Sequence, residues 1–183
     1  YLEDVPLALT TPVGAARLGG RVQGLPTWAE VDLIRAEGPS LRVTSVPARH
    51  GPPGAEGVSG PVTGFVLRAP DLPTIYVSGD NASLGVVGDI ADRIGDVDIA
   101  VLFVGAARVG RFNDALVTLD SAGAARAAQL LGARWVVPVH FAQWQHLTEG
   151  ATHLRHAFEI AGLADRLRLL GPGESTTTSW DVR

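Results

Sequence analysis

Trp135-Val136-Val137-Pro138-Val139-His140 is a β-type apolar run that ends on an imidazole. Two other stretches share its construction. Val43-Thr44-Ser45-Val46-Pro47-Ala48-Arg49-His50-Gly51 reaches a second imidazole, and Ile75-Tyr76-Val77-Ser78-Gly79-Asp80 ends on a carboxylate. Each of these three terminal residues can bind a divalent metal, and strand ends in an α/β layer share a rim. Two imidazoles and a carboxylate can therefore converge on one ion. The pattern predicts a metal-dependent hydrolase.

Around these runs the sequence alternates strand and helix patterns. A short strand is expected at Pro6 to Thr10. A helix follows from Pro12 to Leu18, with Thr11 as its cap and Gly19-Gly20 as its stop. Trp28 to Ile34 and Leu41 to Val46 read as strands. Gly51 to Pro61, with four Gly and three Pro, reads as a loop. Phe65 to Arg68 and Thr74 to Ser78 form a hairpin through Ala69-Pro70-Asp71-Leu72-Pro73. Leu84, Val87, Ile90, Ala91 and Ile94 make the apolar stripe of a helix over Ser83 to Ile94. Asp98 to Val104 is a nearly continuous apolar strand, as expected where both sheet faces are covered. Asp120 caps a helix from Ser121 to Leu131, ended by Gly132, and Trp135 to Val139 completes a βαβ unit. Ala151 to Ala161 is a further helix, and Arg166 to Leu170 a final strand. No internal repeat or low-complexity segment interrupts the order.

The 183 residues fit one domain, 1–183, long enough to bury a core. The composition, 46% apolar and 19% charged, is that of a globular protein. With a net charge of −4 and no basic stripe, nucleic acid is not favoured as a partner, and a small-molecule substrate is. The chain has no Cys, which excludes disulfides, thiolate metal sites and cysteine nucleophiles. No signal peptide or membrane span is visible, so a cytoplasmic setting is expected. The chain opens on Tyr1 and contains no Met, which suggests an upstream segment.

Each candidate has a plainer reading. His50 could be a polar residue at a loop entry, and Asp80 a helix cap before Ser83. His140 could be structural, although the carboxyl end of a central strand is where open α/β sheets place ligand-binding residues. His146, in Phe141-Ala142-Gln143-Trp144-Gln145-His146, could reach a substrate, orient a metal ligand, or lie solvated in a loop. His153 and His156 share a helix face but lack a convincing third ligand, and read as a surface pair. Asp89, Asp92, Asp96 and Asp98 read as a solvated face. Ser78 lacks the flanking glycines of a nucleophile elbow, and neither a dinucleotide fingerprint nor a P-loop lysine is present.

At these residues the chain resembles the metallo-β-lactamase-fold hydrolases, in the branch of the ascorbate-6-phosphate lactonase-like and phospholipase-D-like proteins. The strings that carry the likeness are Val46-Pro47-Ala48-Arg49-His50-Gly51, Val77-Ser78-Gly79-Asp80, Val137-Pro138-Val139-His140-Phe141 with Trp144 and His146, and Ala161-Gly162-Leu163-Ala164-Asp165-Arg166-Leu167. They span residues 8 to 173. The resemblance implies an α/β fold (α+β in some schemes), an αββα sandwich of which this chain forms the C-terminal part. It implies two divalent ions, zinc first with manganese or iron as alternatives. His50 would bind the first ion, Asp80 would bridge both, and His140 would bind the second. Metal-activated water would attack an ester, lactone, amide or phosphodiester. Beside that implication, Asp80 and His146 are the expected catalytic residues, and Trp144 and His146 are expected to wall the pocket or stand behind the metal ligands. The family's His-x-His-x-Asp string does not occur in this sequence and is expected upstream of residue 1. Two protein ligands per ion fall below the usual three of a catalytic zinc site. The chain alone is therefore expected to be inactive or weakly active, and unpaired sheet edges leave room for a homo-oligomer. The alternative is a non-catalytic binding or assembly protein of the same fold. A smaller departure from the family pattern is Asn81, where a small hydroxyl residue is more usual.

Overall fold

The structure is a computed structural model that describes residues 4–34, 36–70 and 72–177. Among these residues a six-stranded sheet dominates. It is built from β3 (Glu30–Leu33), β4 (Leu41–Pro47), β5 (Thr63–Arg68), β6 (Ile75–Val77), β7 (Ile99–Phe103) and β8 (Trp135–Val139), in that order across the sheet. β3, β4, β5 and β6 pair antiparallel, whereas β6, β7 and β8 pair parallel. Two reversals, β4 to β5 and β5 to β6, leave β4 running the same way as β6, β7 and β8. The carboxyl ends of β4, β6 and β8 therefore open on one rim.

Helices α3 (Leu84–Ile94), α4 (Ser121–Leu130) and α5 (Ala151–Ile160) follow the expected spans closely. Ser83 caps α3 by accepting from Val86 N–H, and Asp120 caps α4 by accepting from Gly123 N–H. The cap position of α3 is thus filled by Ser83, which frees Asp80 from the plainer reading. One face of the sheet, with Val66, Tyr76, Ala100, Leu102 and Val136, is fully buried in a single core with Val87 and Ile90 of α3, Ala124 and Ala128 of α4, and Leu154 and Phe158 of α5.

The opposite face is also apolar. Register places Val43, Leu67, Ile75, Ile99 and Trp135 in one row, and Phe65, Val77, Val101 and Val137 in the next. Apart from Val43, these side chains are only half-buried. Alternation within each strand thus gives an apolar residue on both faces, the pattern of a strand meant to be covered twice. No described helix is long and apolar enough to cross a membrane.

Four local expectations needed correction. β1 (Ala8–Thr10) pairs in parallel with β2 (Val22–Gly24), unrecognised in the sequence, to form a separate two-stranded sheet around α1 (Pro12–Leu18). The Gly/Pro-rich loop contains a one-turn helix, α2 (Glu56–Ser59). Arg166 to Leu170 is no strand: Ala164–Arg166 forms a 3₁₀ turn, and Leu167 alone bridges to Val136. Arg166 is drawn into that turn, and its guanidinium donates to Ala133 O at 3.0 Å. Trp28 has φ 69°, so β3 begins only at Glu30. The β5–β6 hairpin forms as expected, although Asp71 in its loop lies outside the described residues.

Candidate metal centre

β6 delivers Asp80 through two strand-end residues. Ser78 Oγ accepts from Phe103 N–H at 2.9 Å and donates to Gly79 O, tying the exit of β6 to the neighbouring strand. Gly79 then takes φ 58°, and a Cβ there would lie 2.5 Å from Thr63 O. Only glycine fits this turn, on both conformational and steric grounds. β8 delivers His140 differently. The residue itself adopts a left-handed backbone, φ 56°, which is uncommon outside glycine and is found where surrounding structure enforces it. Gly105, whose own φ is 111°, lets the chain pass close by: a Cβ there would meet His140 O at 2.8 Å.

The three predicted ligands do come together on the rim. His50 Nδ1 lies 4.0 Å from Asp80 Oδ2, and His140 Nδ1 lies 3.9 Å from Asp80 Oδ1. Their side chains are 23%, 35% and 29% exposed for His50, Asp80 and His140, so all three are accessible from solvent. Both distances exceed hydrogen-bond length. His50 Nδ1 is instead 2.8 Å from Val117 O. A carbonyl can only accept, so Nδ1 carries a proton, and in the neutral imidazole the lone pair is left on Nε2. Metal-binding histidines are characteristically fixed in this way, with one ring N–H donated to a carbonyl and the other nitrogen free for the ion.

Asp80 Oδ1 and His140 Nδ1 are both buried atoms without a hydrogen-bond partner among the described residues. Leaving buried polar atoms unpaired is costly, and two such atoms facing each other across 3.9 Å fit a cation held between them. Metal–oxygen and metal–nitrogen bonds of about 2.0–2.2 Å are consistent with that gap. Among the described residues, however, no group of three His, Asp or Glu side chains is arranged to hold one ion. The arrangement is a carboxylate between two imidazoles, with a different oxygen nearest each ring.

His146 sits farther along the same rim. Its ring centroid is 6.3 Å from that of His140 and 6.0 Å from that of Trp144, and its backbone O accepts from Arg108 N–H. His140 is also packed 5.8 Å from the Phe103 ring. A groove of about 700 Å³ begins at His140 and is lined by Phe141, Trp144, Leu169, Pro172, Arg155 and Glu174. The His153–His156 pair lies elsewhere, exposed on α5, and His153 Nδ1 accepts from Gly150 N–H. Asp98 is likewise structural: it accepts from Thr74 N–H at 2.9 Å.

Sequence reasoning did not identify the partners that orient the ligands. The Val117 carbonyl cannot be read from a side-chain pattern. Asn81 was visible beside Asp80, but its contacts to Arg49 and Ser83 need the folded chain.

Comparison with known proteins agrees with this fold. Residues 5–141 match the family model described as the beta-lactamase superfamily domain. A relative from Methanoregula boonei, named a UPF0173 metal-dependent hydrolase, is 33% identical over 146 residues, covering 76% of this chain. The chain spans 59% of that relative's length. Among solved structures, an isothiocyanate hydrolase from Delia radicum gut bacteria superposes with TM-score 0.77 at 19% identity, covering 96% of this chain and 70% of that one. A metallo-beta-lactamase fold protein from Bacillus subtilis superposes with TM-score 0.54 at 14% identity, covering 86% of this chain and 58% of that one.

Proposed function

We propose a function from one premise: the chain belongs to the beta-lactamase superfamily domain family. On that premise, residues 1–183 are the C-terminal part of a single-domain metal-dependent hydrolase. His50 and Asp80 form half of one ion site, and Asp80 and His140 half of the other. The observation that carries this reading is the facing pair of unpartnered buried atoms, Asp80 Oδ1 and His140 Nδ1. The remaining ligands would come from sequence outside these residues. The 59% coverage of the Methanoregula relative supports that view, as does the half-buried apolar face of the sheet.

Zinc is the ion best suited to two imidazoles and a carboxylate, with manganese and iron as alternatives. When bound, the ions would lower the pKa of water and polarise the bond to be cleaved, whether ester, lactone, amide or phosphodiester. The chain's own residues do the positioning. His50 offers Nε2 because Val117 O holds its Nδ1 proton. Asp80, aimed by Gly79, divides its two oxygens between the imidazoles. His146, whose ring lies 6.3 Å from that of His140, would hand a proton to the leaving group, and the groove beside His140 would take the substrate body. The setting would be cytoplasmic, and the apolar sheet face gives a surface for homo-oligomer formation.

The test is hydrolysis by the zinc-supplemented chain of a chromogenic ester, lactone, amide and phosphodiester, each assayed with and without chelator. Weak turnover that the chelator removes and Asp80→Ala abolishes is expected. Turnover indifferent to both contradicts the proposal. A second reading, a non-catalytic binding or assembly protein, draws on the presence of only two ligands per ion. It would show zinc uptake with no turnover.

A further inference from the structure

We propose that Asn81 is a positioning residue that fixes His50 and Asp80 relative to each other. The inference rests on the two-ion reading above, and it concerns a residue that touches no ion. Asn81 is fully buried beside the ligand Asp80. Its Oδ1 accepts from Arg49 N–H at 3.0 Å and from Ser83 N–H at 3.2 Å, while its Nδ2 donates to Ser83 O at 3.1 Å. The orientation of the amide is determined by its partners, since backbone N–H groups only donate and carbonyls only accept.

The backbone of Asn81 extends the same junction. Its carbonyl accepts from Leu119 N–H at 3.0 Å, two residues from the Val117 carbonyl that holds the His50 ring. Next to it, Ala82 N–H donates to Arg49 O at 2.8 Å. One buried residue therefore joins the segment that carries Asp80, the segment that carries His50, and the segment that fixes the His50 tautomer. The segment 48–51 leaves β4 through Gly51 at φ 120° and contains no regular structure, so its link to the Asp80 turn depends on these bonds.

The experiment uses the ¹⁵N-labelled full chain, first without metal. Long-range histidine spectra report which ring nitrogen carries the proton. In the unsubstituted chain, His50 should show the Nδ1–H form. In Asn81→Ala, the His50 signals should move toward the mixed tautomers of a free imidazole, while His153 and His156 on α5 stay unchanged. Zinc titration by calorimetry should then show affinity weakened about 10–100-fold, the range typical of lost ligand-orienting contacts. Asn81→Asp keeps the oxygen that accepts both N–H groups and loses only the bond to Ser83 O, so the His50 spectra, which report on the Arg49 link, should stay close to those of the unsubstituted chain.

A folded Asn81→Ala chain with unchanged His50 spectra and unchanged zinc affinity overturns the proposal. Should Asn81→Ala fail to fold, Asn81→Asp decides: a native-like His50 signature supports the role, and a folded chain that has lost it overturns the role. An unsubstituted chain that takes up no zinc overturns the two-ion reading instead, and the metal-free His50 spectra still decide the part played by Asn81.

Discussion

His50 and His140 present imidazoles to the same carboxylate, but the chain holds them in different ways. His50 is reached through an irregular loop, and its ring is fastened by a hydrogen bond from Nδ1 to Val117 O. His140 directly follows a strand, and its position is fixed by backbone: a left-handed φ of 56°, with Gly105 making room beside it. Its Nδ1 has no hydrogen-bond partner among the described residues. One ring is thus oriented by what its Nδ1 donates to, the other by the conformation of its own residue. A site can be pre-formed by either means, and the two should respond differently to substitution.

The largest effect is expected where the comparison collapses, at the group both rings face. Asp80→Ala should weaken zinc uptake by more than about 100-fold, beyond the 10–100-fold typical of lost orienting contacts, because a shared ligand is removed from both half-sites. Equilibrium dialysis against zinc measures it.

Next comes Gly79→Ala, which puts a Cβ 2.5 Å from Thr63 O at φ 58°. It should cost about 1–3 kcal/mol of stability by denaturant titration, and shift Asp80 away from both rings.

The two histidines then separate in the metal-free chain. His50→Ala strands the buried Val117 carbonyl and should lower stability by about 1–3 kcal/mol. His140→Gly relieves a left-handed backbone position and should leave stability unchanged or raised by about 1 kcal/mol, while zinc affinity falls in both variants. Equal destabilisation by the two would remove the distinction drawn between them.

The smallest effect contrasts the rim with the core. Tyr76 Oη is also a buried atom without a hydrogen-bond partner among the described residues, but it sits among Val66, Ala100 and the helices rather than beside a second ligand atom. Burial pushes its pKa well above the usual 10.0. Tyr76→Phe should therefore be neutral or stabilising by about 1 kcal/mol, checked by thermal melting. The pH dependence follows from the sign of the shift. Above pH 10 the unfolded chain loses the phenol proton while the folded chain keeps it, so stability falls as pH rises. Tyr76→Phe should show a shallower alkaline fall.

Much of this was legible before folding. Strand runs ending on His50, Asp80 and His140 gave the rim because their period and their terminal residue types are local properties. Helices α3 to α5 were legible for the same reason, each having an apolar stripe and a stop or cap. What escaped were features set by distant partners. β2 has no strand pattern of its own and forms by pairing with β1 across α1. Leu167 and Leu169 look like a strand, yet the 3₁₀ turn before them leaves a single bridge. The anchoring of His50 depends on a main-chain oxygen 67 residues away.

The most direct test of the account is zinc stoichiometry and affinity, measured by calorimetry on the unsubstituted chain beside Asp80→Ala, His50→Ala and His140→Ala. The account predicts uptake by the unsubstituted chain, reduced by either histidine variant and lost with Asp80→Ala. Uptake that is absent from the unsubstituted chain, or equal in all four, would contradict it.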